Sequence, residues 1–306
     1  MAPWERTHGA PVTGRGTGDG PVSFGGGAGP PVALTVAGSD SASGAGLQAD
    51  LKAMSALGVF ATTAVTAVTA QNSAAVTAVH ALPTELVAAQ IDAVLDDFTV
   101  MATKTGMLAT TETVRLVAER ATTGDLPSLV VDPVMVASTG RRLLDDEAVD
   151  AYRHGLVPRA LVVTPNLFEA AILAGVAPVD DADTDTMVEL ARRVHGLGAT
   201  WVLVKGGHLP GVHGPRSGAA PDQVADVLFD GTEVTVLAQA RVTTRNNHGT
   251  GCSLASAIAA LLASGHDVPV AVARAKAFVH EALVGAAGWD LGHGHGPLDP
   301  FGWSRG

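Results

Sequence analysis

Cysteine is nearly missing from this chain: one residue, Cys252, in 306. An internal disulfide is therefore excluded, and a lone thiol fits the reducing cytosol. Positive charge is scarce too. Nineteen Lys and Arg stand against thirty Asp and Glu, a formal net charge of −11. That balance argues against nucleic acid or an anionic membrane as the main partner. No run approaches the roughly 20 apolar residues of a spanning helix, and the N-terminus has no apolar signal core. The P-loop pattern G-x-x-x-x-G-K-[ST] does not occur, which disfavours that class of NTPase. What is present is an apolar fraction of 47%, ample for a sizeable core. Residues 1–30 lack it. They are rich in Gly, Pro and Thr and read as a disordered leader, leaving 31–306 as a single domain.

Beyond residue 31 strand and helix patterns alternate. Ala33 to Ala37 reads as a buried strand, and Leu47, Leu51, Met54 and Leu57 recur at helical spacing up to Gly58. Strands are predicted at 60–69, 99–104, 128–131, 161–164 and 201–204. Helices are predicted at 83–98, 110–122, 145–156, 167–174, 185–197, 251–264 and 268–287. Asp230-Gly231 between 225–229 and 232–237 is a hairpin signal. Repeated strand–helix units predict an α/β fold: a mostly parallel sheet with helices on both faces. Residues 209–223 read as a long mobile loop.

Ligands of open α/β sheets bind beyond the C-terminal ends of the strands, and the polar residues gather there. Gly38-Ser39-Asp40, Gln71-Asn72, Lys104 to Met107, Asp132, Thr164 to Asn166 and Lys205 to His208 each end a predicted strand. Each also has a plain structural reading. Asp132 before Pro133 can simply end a strand, and Asn166 with Glu169 can be a helix-capping pair. Lys205 can be a solvated strand end. Asp50, beside an apolar helix face, needs a partner or a ligand.

His248-Gly249-Thr250-Gly251-Cys252 is the most telling segment, because an apolar helical run follows it directly. A glycine-rich turn opening a helix offers unpaired N–H groups and the positive end of the helix dipole, a seat for an oxyanion. The same position lowers a thiol's pKa, so Cys252 is expected to be partly thiolate near neutral pH, although Cys is also commonly an inert buried residue. Gly44 to Ala49 matches the dinucleotide pattern G-x-G-x-x-G/A, but Gln71 stands where the acidic residue of that motif belongs. His293 and His295 read as an exposed flexible tail rather than a metal site.

Together these motifs resemble the hydroxymethylpyrimidine/phosphomethylpyrimidine kinases of thiamine biosynthesis, from about residue 32 to 303 and in the right order. They comprise Ala37 to Asp40 with Ser43 to Lys52, Thr69 to Asn72, Lys104 to Leu108, Asp132 to Met135, Thr164 to Leu167 with Glu169, Val204 to His208, the His248 to Cys252 turn, and Gly294 to Leu298. Ser41-Ala42 stands where that family usually has Pro-Ser.

The resemblance implies a ribokinase-like fold, ATP as co-substrate with Mg²⁺, an aminopyrimidine substrate phosphorylated twice in succession, and a homodimer. It implies that Gln71 hydrogen-bonds the pyrimidine in a pocket lined by Asp50, Met107, Val134 and Gly38. It places Cys252 as the catalytic base beside an anion hole of Gly249, Thr250 and Gly251. Lys205, Asn166 and Glu169 would lie at the nucleotide phosphates, with Asp132 and Glu169 toward metal. Pyridoxal kinase on the same scaffold is the nearest alternative, and a dinucleotide-dependent oxidoreductase a more distant one.

Overall fold

Two-residue periodicity in the strands sends alternate side chains to opposite faces of one sheet. Val130 and Val162 pack with one hydrophobic layer, while their neighbours Val131 and Val163 pack with the other. The computed structural model describes residues 29–135, 146–177, 183–207 and 223–305. Among them nine strands form one sheet in the order β3-β2-β1-β4-β5-β6-β7-β8-β9. The strands are β1 (Val32–Asp40), β2 (Phe60–Gln71), β3 (Val76–Ala81), β4 (Val100–Thr105), β5 (Val130–Val131), β6 (Val162–Val163), β7 (Trp201–Lys205), β8 (Gln223–Phe229) and β9 (Val234–Ala240). The run from β2 to β7 is parallel, and β3, β8 and β9 join antiparallel.

One face is covered by α1 (Gly46–Ala56), α7 (Thr250–Ala263) and α8 (Val268–Ala286). The other is covered by α2 (Thr84–Leu95), α3 (Thr111–Thr123), α4 (Asp146–Ala151), α5 (Leu167–Ala174) and α6 (Thr184–His195). The expected mixed α/β architecture is thus present, and so is the hairpin at Asp230-Gly231. The edge strand β3 was not expected, because most of its residues are exposed and it buries no apolar face. The helix predicted at 145–156 holds as α-helix only to Ala151, then widens into a π-turn over Tyr152–Leu156. The expected leader up to residue 28 and the expected loop up to residue 222 lie outside the described residues.

β1 pairs with β2 on one side and β4 on the other, so the strand order reverses there. Such a switch point opens a crevice past the strand ends. Gly38 to Asp40 end β1, and Lys104 and Thr105 end β4. The β1–β2 register breaks between Ala37 and Ser39.

Candidate active site

The α7 turn is built from glycine because nothing else fits. Gly249 caps the helix at φ +83°, a conformation that L side chains rarely adopt. A Cβ there would collide with the Gly44 carbonyl. No side chain caps this helix; the Thr250 N–H turns back to the Asn247 carbonyl at 3.4 Å, and the Gly251 and Cys252 N–H groups that follow are left for a ligand. A Cβ on Gly251 would lie 3.2 Å from Lys205 Nζ and 3.9 Å from Asp132 Oδ2. The turn therefore faces an ion pair: Lys205 Nζ lies 2.9 Å from Asp132 Oδ1.

That pair is no solvated strand end. The two side chains are only 13% and 3% exposed, and Thr164 Oγ1 donates to Asp132 at 3.3 Å. Burial works against the charge on Lys205, but Asp132 and Glu169 outweigh it and hold the ammonium above its ordinary pKa. Glu169 is buried beside them. Its Oε2 accepts from the Asn166 N–H and its own N–H donates to Asn166 Oδ1, both at 2.9 Å. The capping pair read from the sequence is therefore real, and it is part of the charged cluster. Burial pushes the Glu169 carboxyl up to about 7, Lys205 pulls it down and Asp132 pushes it further up.

Cys252, half-buried, follows the turn. Here one expectation is overturned. Burial pushes the thiol up to about 11; Lys104 and the Gly46 N–H draw it down, while Asp50 and Asp132 oppose them. The helix start alone does not make a thiolate at neutral pH, because desolvation and two carboxylates outweigh it.

Asp50 has found its partners within the protein. Lys104 Nζ donates to its two oxygens at 2.9 and 2.8 Å, and Thr35 and Ser256 hydroxyls donate at 2.7 Å each. Lys104 and Asp50 are both fully buried. Its carboxylate is enclosed under α7, where Ser256 lies one turn past Cys252. Lys104 was read from the sequence as a strand-end polar residue, and its pairing with Asp50 was not foreseen. Two opposite charges, one inside a buried strand and one on an apolar helix face, are the signal that could have found it.

Gly38 and Met107 do meet: a Cβ on Gly38 would press on the Met107 methyl at 2.5 Å. Val134 is half-buried two residues past Asp132. Gln71 is also half-buried, and its Nε2 lies 3.0 Å from His248 Nε2. His248 Nε2 in turn lies 3.1 Å from Asp40 Oδ2. The backbone N–H groups of Ala42, Gly44 and Ala45 also donate to Asp40. Burial disfavours the charge on Asp40, but His248 and these N–H groups outweigh it and hold its carboxyl below the ordinary range.

The glycines of the apparent dinucleotide motif serve packing. Gly44 lies against the His248 ring, Gly46 lies against the Gly38 carbonyl, and Gly249 closes over both Gly44 and Ala45. The C-terminal His-Gly segment is exposed but bonded, which corrects its reading as a flexible tail. His295 donates its N–H to Ser73 O at 2.9 Å, and its Nδ1 lies 2.9 Å from Asn247 Oδ1.

A charged cluster past the ends of β5, β6 and β7, under an uncapped glycine turn, suits phosphoryl transfer. The model of the phosphomethylpyrimidine kinase family matches residues 40–299. The chain belongs to that family. A hydroxymethylpyrimidine/phosphomethylpyrimidine kinase from Streptomyces coelicolor is 48% identical over 277 residues, which cover 90% of this chain and 96% of that protein. Among solved structures, an ADP complex of Bacillus subtilis pyridoxal kinase superposes with a TM-score of 0.79 at 35% identity, covering 90% of this chain and 100% of that one. A phosphomethylpyrimidine kinase from Clostridium difficile superposes at 0.70 with 35% identity, covering 82% and 99%. The ribokinase-like fold expected from the sequence is thus shown, and this kinase is no dinucleotide oxidoreductase.

Proposed function

We propose that this kinase phosphorylates 4-amino-5-hydroxymethyl-2-methylpyrimidine with ATP, then phosphorylates the monophosphate to the diphosphate. The observation that carries the reading is the uncapped Gly249–Gly251 turn facing the Lys205–Asp132 pair beside Cys252. Backbone N–H groups there are held in place, so they stabilise charge on a transferred phosphoryl group without reorganising. Lys205 supplies positive charge to nucleotide phosphates, with Asn166 and Glu169 beside it.

Asp132 and Glu169 fit Mg²⁺: two buried carboxylates, one of them pushed toward neutrality, suit a hard cation that also takes phosphate oxygens and waters. When bound, the ion would neutralise charge on the phosphates. Cys252 is the base for the first step, where an alcohol must lose its proton. The second step attacks with a phosphate oxygen already ionised near pH 7 and needs little base. Gln71 reads the pyrimidine edge, with Gly38, Met107 and Val134 around it. A homodimer acting in the cytosol belongs to the same proposal, on the family resemblance and the lone reduced thiol.

ATP turnover on the hydroxymethylpyrimidine, on its monophosphate and on pyridoxal is the deciding measurement. Clear preference for pyridoxal would replace the pyrimidine reading with the alternative.

A further inference from the structure

Gln71 is held from behind at both ends. The Ser41 hydroxyl donates to the Gln71 carbonyl at 2.6 Å and accepts from the Gln71 N–H at 2.8 Å. That fixes the main chain at the irregular end of β2, where the register with β3 shifts between Ala70 and Gln71. The amide end then meets His248 Nε2 at 3.0 Å.

Hydrogen-bond logic restricts this contact. His248 Nε2 is shared between Gln71 and Asp40. A carboxylate only accepts, so it calls for a proton on Nε2. A bare Nε2 lone pair 3.1 Å from that oxygen would be repelled by it. Both partners are buried, His248 at 8% and Asp40 at 3% exposure, and a hydrogen bond to an ionised acceptor is the strong one. With Nε2 carrying its proton, a Gln71 N–H pointed at it would set donor against donor. The two ends of an amide are nearly isosteric and exchange by a half-turn, so bonding decides which end faces which group. The imidazole therefore selects the amide oxygen.

We propose that His248, its Nε2 proton fixed by Asp40, is a specificity-determining positioning residue that turns the Gln71 amide so its oxygen faces the imidazole and its NH₂ faces the substrate. The inference rests on Gln71 reading the substrate ring. Set this way, Gln71 offers an N–H to a ring nitrogen, and the second lone pair of its oxygen accepts from an amine beside that nitrogen. An aminopyrimidine edge satisfies both groups. The ring nitrogen of pyridoxal has no neighbouring donor, so the second lone pair is left idle. A freely turning amide would lose this discrimination. Gly44 packs on the imidazole edge, where a Cβ would collide with it. A side chain at Gly44 would therefore displace the ring.

The test has two arms. His248→Phe keeps a ring against Gly44 and removes Nε2. The KM for hydroxymethylpyrimidine should rise by roughly five- to tenfold, the effect of one lost oriented hydrogen bond. kcat should fall by less than KM rises, the KM for ATP should not move, and preference over pyridoxal should narrow. An unchanged preference, or a loss confined to kcat, overturns the proposal. The second arm needs no variant. Nitrogen NMR of the labelled wild-type protein should show the His248 proton on Nε2, with coupling to Asp40 lost in Asp40→Asn; a proton on Nδ1 alone overturns it even if His248→Phe does not fold. If the wild type ignores the pyrimidine altogether, the functional reading fails while the NMR arm still decides the tautomer.

Discussion

At the residue scale the sulfur of Cys252 and the glycines before it have separable tasks. Cys252→Ala should cut phosphorylation of the alcohol by on the order of 10²–10⁴-fold, the usual worth of a positioned base. Conversion of monophosphate to diphosphate should fall less than tenfold; equal losses in separate assays would remove the sulfur from the chemistry. With the thiol pushed up to about 11, the wild-type first step should quicken as pH rises from neutral, and the variant should lack that rise. Lys104 pulls the thiol down and Asp50 pushes it up. Lys104→Met should therefore displace the rise to higher pH, and Asp50→Asn to lower pH, in pH–rate profiles of whichever variants fold. Breaking this buried pair costs about 3–5 kcal/mol.

Glu169 offers a test by linkage. Its folded-state pKa of about 7 lies above the ordinary carboxyl value, so the folded protein holds the extra proton between the two. Its contribution to stability is therefore present at low pH and lost as pH rises toward and through 7. Glu169→Gln should gain relative to wild type at pH 8 compared with pH 5 in denaturation midpoints. Stabilisation of the wild type by Mg²⁺ should show the opposite trend, greater at pH 8, and should weaken in the variant. A Mg²⁺ effect that is the same at both pH values would disconnect this carboxylate from the ion.

At the scale of elements, the start of α7 separates stability from activity. Gly249→Ala meets both a positive φ and the Gly44 carbonyl. It should cost about 1–3 kcal/mol and lower both phosphorylation steps. Gly251 has no such backbone demand, and Gly→Ala inside a helix gains about 0.5–1 kcal/mol. Its added methyl would press on Lys205. Gly251→Ala should thus leave the melting temperature unchanged or raised while depressing both steps alike.

Elements were also where the sequence was most readable. The α5 span was legible from residue to residue, because Asn166 and Glu169 mark its start; the structure adds the left-handed Gly175 at its end. β3 was not, because Val76–Ala81 is largely exposed and gains its order from pairing with β2. Among candidate site residues, Cys252, Lys205, Asp132 and Glu169 were legible as strand-end or helix-start polar groups. The Asp40–His248–Gln71 chain was not, since Asp40 and Gln71 end the paired strands β1 and β2 while His248 joins them from 208 and 177 positions away. The thiolate expectation failed for a related reason: local sequence shows the helix start but neither the depth of burial nor the carboxylates that surround the sulfur.

For the molecule as a whole, ligand linkage gives a simple check. A non-hydrolysable ATP analogue with Mg²⁺ at about 100 times its Kd should stabilise the protein by about 2.7 kcal/mol, visible as a raised melting temperature. NAD(P) should give no shift. A shift with NAD(P) and none with the ATP analogue would contradict the assignment of the switch-point crevice to a nucleoside triphosphate.

The contacts that define the site join the two ends of the chain. Asp40 meets His248 across 208 positions of sequence, and Asp50 meets Ser256 across 206. Closing loops of that length is among the slower events available to a folding chain. During synthesis the β1 end and α1 emerge early and wait, with Asp50 and Lys104 lacking their α7 lid, until α7 has been made. Catalytic competence therefore cannot precede the synthesis of α7. A ribosome stalled just before α7 carries a chain in which all nine strands have been synthesised, with no kinase activity.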